Sequence, residues 1–447
     1  MKLKYLTVLA VGLLLQVSRS WAQELLTLQQ AIEFALHSKA DAKKSKLDVV
    51  NAQNKIDEVR SAALPQITLT AGLTYNPIIQ KVALPGEMLG RPGETILAAF
   101  GQKWQSTPTV ALNQQIFNQS VFTGLKAAST TREFYIINNE LTEEQLIEKV
   151  AVSYYDVYTS QLNLATVQTN VDNANKNKKI IEGLYQAGLG KKIDLDRIVV
   201  NINNLMAQKQ QLVNALQLKE NALKFAIGMD ITAPIVLPKE TFEVDAAILM
   251  DFADVNSRTE VKLMDKQIEL LELNKKAEIA AYYPTVSLTA NYGYTGFGNK
   301  VPFFHGRPDA SWSNFSTLGV NVSFPIFNGF KTRSKVRQAD VDLKKAEIDL
   351  YDTKLSLSMM NENAKAQVKN SLLTVNSNRE NVHLANDVLS NTSNNYRNGL
   401  ATLTELLEAE QAYADAQNNL NTSLLNYKVA EVQLVKAKGQ LKTLVNK

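Results

Sequence analysis

The chain has 447 residues, 45% of them hydrophobic and 21% charged, with a formal charge of +4 and no cysteine. This is the balance of a folded chain, and the missing cysteine excludes disulfides, thiolate metal sites, a cysteine nucleophile and an acylated amino-terminal cysteine. Residues 1–22 read as a secretory signal; without Lys2, Lys4 and Arg19 the charge falls to +1, which gives no support for a basic nucleic-acid surface.

The signal consists of a basic start, the apolar run LTVLAVGLLL and the small-x-small triplet Ser20-Trp21-Ala22, so the mature chain is expected to begin at Gln23. No later run reaches the ~18 apolar residues of a membrane-spanning helix. An exported chain without such a helix is either soluble or crosses a membrane as a β-barrel.

The first mature element, LTLQQAIEFAL, carries Thr27 and Gln30 at capping-box spacing and predicts a helix. Then Ile67, Leu69, Ala71, Leu73 and Tyr75 alternate with Gln66, Thr68, Thr70, Gly72 and Thr74. Side chains on a strand point to opposite faces in turn, so this stretch predicts one apolar and one neutral polar face. Asn76 to Ser106 reads as a long loop, and Val110, Leu112 and Ile116 as a weaker returning strand. From Gln119 to Gly188 there is no proline, and Val150, Val157, Leu164 and Val171 recur every seven residues. At ~1.5 Å per residue such a helix would reach about 100 Å.

DITAPIVLPKETFEVD, Asp230 to Asp245, breaks the helical pattern with two prolines and reads as a linker packed on the outside of the helices. Ser257 and Glu260 give a second capping-box spacing. Val286, Leu288, Ala290, Tyr292 and Tyr294 then alternate with Thr285, Ser287, Thr289, Asn291 and Gly293. Leu318, Val320, Val322, Phe324 and Ile326 repeat the pattern opposite Gly319, Asn321 and Ser323, after a loop from Gly296 to Asn314. Gly329 to Asn398 again lacks proline. In the last helix Leu406, Tyr413, Leu420, Tyr427, Leu434 and Leu441 lie seven apart, each followed three residues later by Ala409, Ala416, Ser423, Ala430, Ala437 or Leu444. That is a coiled-coil seam of alternating large and small residues.

The chain says nearly the same thing twice. Tyr185 and Tyr396, Gly188 and Gly399, Leu189 and Leu400, and Asp194 and Glu405 are all 211 residues apart. Ala62 to Asn76 pairs with Ala280 to Tyr294, and Val110 to Gln119 with Val320 to Gly329. This duplication predicts a first repeat over 23–229 with a barrel hairpin at about 64–118, a linker over 230–256, and a second repeat over 257–447 with a hairpin at about 284–328. The four strands are each about ten residues, long enough to cross a bilayer when tilted. A soluble sandwich with one wet face also fits the alternation. The nearly uncharged polar faces and the long loops favour the barrel.

Other chemistry has little support. His37, His305 and His383 are far apart, with no second ligand expected at metal spacing, so neither an enzyme nor a metal or other cofactor is predicted. Gly188-Leu189-Gly190-Lys191-Lys192 lacks the first glycine of a phosphate loop and follows a helix.

Taken together, LTLQQAIEFAL, LPQITLTAG, YPTVSLTANYGY, SFPIFNG, YQAGL and YRNGL resemble the TolC-like outer-membrane efflux factors. The resemblance implies a mainly α fold with a transmembrane β-barrel: four strands per protomer, a twelve-stranded barrel in a homotrimer, and long coiled-coil helices through the periplasm. It implies a passive exit duct in the bacterial outer membrane, serving tripartite efflux or type I secretion, with a periplasmic adaptor and an inner-membrane pump as partners and outer-membrane lipid around it. A periplasmic adaptor or a passive porin is the alternative.

In such a barrel Thr68, Thr70, Thr74, Thr285, Ser287, Thr289, Asn291, Asn321 and Ser323 would line the pore. The resemblance further implies that Glu405 and Glu408 ring a closed aperture, with Asp194 as the matching acid of the first half. Tyr185, Gly188, Leu189, Tyr396, Gly399 and Leu400 would form the tips that meet the adaptor. Two positions depart from the pattern: Ala401 stands where relatives carry a latching arginine, leaving Lys191 or Lys192 to replace it, and Gln115 stands where the second copy has Pro325.

Overall fold

A computed structural model describes residues 25–238, 254–302 and 310–445. The expected signal segment, most of the linker and His305 lie outside the described residues. The chain divides into two units, 48–135 with 264–349 and 1–47 with 136–263 and 350–447; among the described residues the first carries the strands and the second is mainly helical.

In the strand-bearing unit, β1 (Gln66–Tyr75), β4 (Trp104–Phe117), β5 (Thr285–Gly298) and β6 (Ala310–Ser323) form one antiparallel sheet in the order β1-β4-β5-β6. The register carries the alternation straight across the two halves of the duplication. Thr68 lies opposite Ala111, Ala111 opposite Asn291, and Asn291 opposite Thr317. On the other face Ile67, Leu112, Ala290 and Leu318 make the next row. Leu69, Val320 and Val322 are 72%, 63% and 67% exposed, so the apolar face is open and needs an apolar surrounding.

Three features of the sheet differ from expectation. The loop after β1 contains its own hairpin, β2 (Lys81–Pro85) paired with β3 (Thr95–Ala99). Its tight turn needs Gly86, where a Cβ would lie 2.1 Å from the Arg91 carbonyl oxygen. The stripe of the fourth strand does not run through Ile116: Gln115 pairs with Ser287 and Phe117 with Val286, so Ile116 is the extra residue of a bulge and Phe117 takes its place in the ladder. In the second half β6 stops at Ser323, before Phe324 and Ile326. Pro325 has no amide hydrogen to continue the ladder.

The helices of the helical unit are α1 (Leu28–Ser38), most of α3 (Gln119–Gln186), α4 (Lys192–Ile227), most of α6 (Lys331–Arg397) and α7 (Leu403–Ala437); α2 (Ala40–Ser61) and α5 (Thr259–Ala280) begin here and pass into the strand-bearing unit. The Thr27 box forms, with the Gln30 amide 3.2 Å from Thr27 Oγ1 and the Thr27 amide 3.0 Å from Gln30 Oε1. The Ser257 box does not: Ser257 closes a short 3-10 turn capped by Asp254, and Glu260 pairs with Arg258 instead. Arg258 is only 3% exposed, and an ion-pair partner offsets the cost of burying its charge.

The heptad residues face inward. Val150 and Val157 of α3 and Tyr427 and Leu434 of α7 are fully buried. One core joins α1, the middle of α3, the end of α4 and the end of α7, and a second joins α6 to α7 through Val368, Val375, Tyr427 and Leu434. The seam ends sooner than its spacing suggests. Gly439, at φ 71°, stops α7, and Leu441 and Leu444 fall in a 3-10 turn. Before the undescribed part of the linker, the Leu26 amide donates to the Val236 carbonyl at 2.8 Å and Leu237 is buried in the first core.

Candidate functional site: the helical tips

The two duplicated turns have the same backbone. Helix α3 ends at Gln186, Gly188 follows at φ 74°, and the Leu189 and Gly190 amides both reach the Leu184 carbonyl at 2.9 Å. Helix α6 ends at Arg397, Gly399 follows at φ 72°, and the Leu400 amide reaches the Asn395 carbonyl at 2.8 Å. Both are glycine-terminated helix ends in which a left-handed residue turns the chain and satisfies the last carbonyls. The turns therefore hold Leu189 and Leu400 out in the open, 80% and 78% exposed. Tyr185 is exposed as well, whereas Tyr396 is half-buried.

Beneath the turns a small core gathers four helices: Ala174 and Ile181 of α3, Ile198 of α4, Leu389 and Tyr396 of α6, and Leu403 and Leu406 of α7. Burial, and after it the nearby Asp194 carboxylate, pushes the Tyr396 hydroxyl above its ordinary pKa. Asp194, expected as the first-half match of the aperture acids, thus lies within electrostatic reach of a tyrosine of the second half. Glu405 and Glu408 share a flank of α7, and both are exposed.

Glu405 also has a local task. Thr402 caps α7, with its amide 2.6 Å from Glu405 Oε2, its hydroxyl 3.0 Å from the same oxygen, and the Glu405 amide returning to Thr402 Oγ1 at 3.3 Å. These bonds, the backbone one first, hold the Glu405 carboxyl below its usual pKa. Both carboxyl contacts use Oε2, which leaves Oε1 available to the surroundings. The signal was in the sequence, as Thr402 and Glu405 have capping-box spacing.

Two contacts were not anticipated. Arg197 of α4 donates from Nη1 to Thr404 Oγ1 of α7 at 3.2 Å, so an arginine from the first half bridges to the second although Ala401 supplies none. Lys191 and Lys192 are exposed at the start of α4. Glu410, one turn beyond Leu406, is half-buried and accepts a 2.6 Å hydrogen bond from Asn177 Nδ2 of α3. Its burial raises the carboxyl to about 7, with the Asn177 bond opposing the shift.

The expected pore residues lie on one face. Thr285 is opposite Ser323, Ser287 opposite Asn321, and Thr289 opposite Gly319. Asn321 donates to Thr289 Oγ1 at 3.3 Å, so polar side chains satisfy one another along this face. Thr70 lies opposite Thr109 and Thr74 opposite Gln105. Among the described residues no group of three or more His, Cys, Asp or Glu side chains could hold a metal ion. His383 does have an acid one turn away, contrary to expectation, with Nδ1 3.3 Å from Asp387; both side chains are well exposed. Among the described residues no helix is long and apolar enough to cross a membrane.

The pattern that defines the outer membrane efflux protein family matches residues 31–229 and 256–440. The chain belongs to that family. It is 23% identical to the outer membrane protein TolC of Vibrio cholerae, over 86% of this chain and 83% of that protein. It is 22% identical to the outer membrane efflux protein BepC of Brucella suis, over 93% of this chain and 86% of that one. Among solved structures, the outer membrane protein VceC of Vibrio cholerae superposes with a TM-score of 0.72 at 19% identity, covering 92% of this chain and 96% of its own. The Campylobacter jejuni CmeC outer membrane channel gives 0.71 at 17% identity, covering 92% and 85%. The family places the protein in the outer membrane as a passive exit duct of efflux systems; neither the adaptor nor the porin alternative receives support.

Proposed function

We propose that three copies of this chain seal one duct, and that its helical tips are where a periplasmic adaptor, itself bound to an inner-membrane pump, engages and opens it. One observation carries the reading. In the four-stranded sheet β1 and β6 are both edges, and the face that would meet lipid is apolar. Unpaired backbone groups in hydrocarbon cost several kcal/mol each, so such a sheet persists in a bilayer only if its edges are paired. Pairing β6 of one copy with β1 of the next closes twelve strands around the threonine, serine and asparagine face.

The exposed apolar side chains of α6, among them Leu355, Met359, Leu373, Leu384 and Val388, support the same reading. A second copy would cover them, as no core of the protomer does. The energy for transport comes from the pump, and the duct contributes a wet, uncharged path.

For the aperture, threefold symmetry would gather six carboxylates from Glu405 and Glu408, with Asp194 as the first-half acid nearby. Like charges brought together repel and draw in cations. Leu189 and Leu400, held out by Gly188 and Gly399 beside Tyr185 and Tyr396, are the proposed contact for the adaptor. The full chain purified in detergent should run as a heat-sensitive trimer and conduct in planar bilayers. Replacing Glu405 and Glu408 together by glutamine should raise the divalent cation concentration needed to block conductance. A monomer that stays in solution without detergent would end the reading, and unchanged block would remove the carboxylate ring from it.

A further inference from the structure

Glu410 is out of place on α7. Its neighbours in the coiled-coil seam, Leu406 and Ala409, are buried apolar residues, and Leu406 belongs to the hydrophobic core beneath the tips. Glu410 lines a cleft among α3, α4, α6 and α7, to which Asn170, Asn173, Asn201 and Gln411 contribute amides and Leu389 and Leu407 an apolar wall. None of the lining groups from α3, α4 or α6 is charged, and the only other titratable one is Tyr413 on α7 itself. Asn177, from α3, is neutral and donates the one hydrogen bond to Glu410. A carboxylate there has amide dipoles but no cation to balance it, and desolvation disfavours a charge more than it disfavours a neutral acid.

We propose that Glu410 is a proton-operated switch on the packing of α7 against α3: the neutral acid keeps the helices closed around it, and loss of the proton lets water into this stretch. The amide of Asn177 suits both states, since it can donate to the carbonyl oxygen of the acid or to the carboxylate.

The sign follows from the two environments. In the closed packing the carboxyl titrates at about 7, against 4.5 for the ordinary group. Below 4.5 both closed and opened forms carry the proton, and closure is unpenalised. Between 4.5 and 7 the opened form ionises while the closed form does not, so closure weakens as pH rises; above about 7 the penalty is complete. This deepens the duct reading by giving the region below the tips a means of regulation. Its readout is local exchange and does not require the channel to conduct, so the two can fail separately.

Hydrogen–deuterium exchange on the full chain in lipid nanodiscs, from pH 5 to pH 8, tests it in segments 170–177 and 407–414. After division by the intrinsic chemical rate, opening should rise about tenfold or more, since each unit of pKa difference is worth a factor of ten. Glu410→Gln should abolish the rise. Asn177→Ala, which removes a donor that favours the ionised form, should move the midpoint upward, whereas a merely structural contact would lower protection equally at every pH. A flat wild-type profile, an unchanged rise in Glu410→Gln, or a uniform loss in Asn177→Ala would overturn the proposal. If Glu410→Gln fails to assemble, the wild-type and Asn177→Ala profiles decide.

Discussion

Thr402 and Glu405 cap one another at the start of α7, the Thr402 amide lying 2.6 Å from a Glu405 carboxyl oxygen. A residue expected to act at the axis of an assembly is therefore also tied to the backbone of its own helix. Thr402→Ala should cost about 1 kcal/mol of local helix stability, read as faster amide exchange at 403–406. The Glu405 carboxyl is held below the 4.5 of an ordinary group, so its support is present above 4.5 and lost as pH falls through the depressed value. Acidification should fray this turn in the wild type, and Glu405→Gln should remove that pH dependence while keeping a side-chain acceptor for the cap.

Gly399 turns the chain at φ 72°, and apart from its chain neighbours no atom lies within 4 Å of where a Cβ would be. Strain there is thus in the backbone and not in packing. Gly399→Ala should cost about 1–2 kcal/mol, seen as local exchange around 395–402, with the trimer retained and adaptor crosslinking at Leu400 reduced. Equal crosslinking would mean that the turn geometry does not position the contact.

The two faces of the sheet should respond oppositely to charge. Leu69 and Val320 lie on the apolar face and are exposed; arginine at either should cost about 2–4 kcal/mol if the site is near the bilayer midplane. That outcome is read as failed refolding into vesicles. Arginine at Thr70 or Thr289, on the other face, should leave insertion intact and shift ion selectivity in bilayers toward anions.

Leu373 of α6 is 60% exposed, whereas Leu434 of α7 is fully buried. Leu373→Asp should leave the helical content of the protomer unchanged and lower the temperature at which the trimer dissociates. Leu434→Ala should instead destabilise the protomer by about 2–5 kcal/mol, through lost burial and the cavity left behind. Circular dichroism and heat-dissociation gels, run on both variants, separate the two effects.

The sequence by itself determined the elements and their order. Alternation at Ile67 to Tyr75 and at Val286 to Tyr294, the sevenfold spacing from Leu406 to Leu434, and the doubled Tyr-x-x-Gly-Leu turns are local patterns. Each depends only on how side chains project from a strand or a helix, and on glycine's freedom at positive φ. What neighbours do across space was left to the tertiary structure. The spacing of Ser257 and Glu260 promised a cap, but Arg258, only 3% exposed, took the glutamate. Ile116 kept the alternating pattern, yet the bulge gave its rung to Phe117. No pattern in the sequence singles out Glu410; only the fold gives it Asn177 of α3 as a partner and a cleft shared by four helices. Burial and partner choice are sums over segments distant in the chain, and no single stretch carries them.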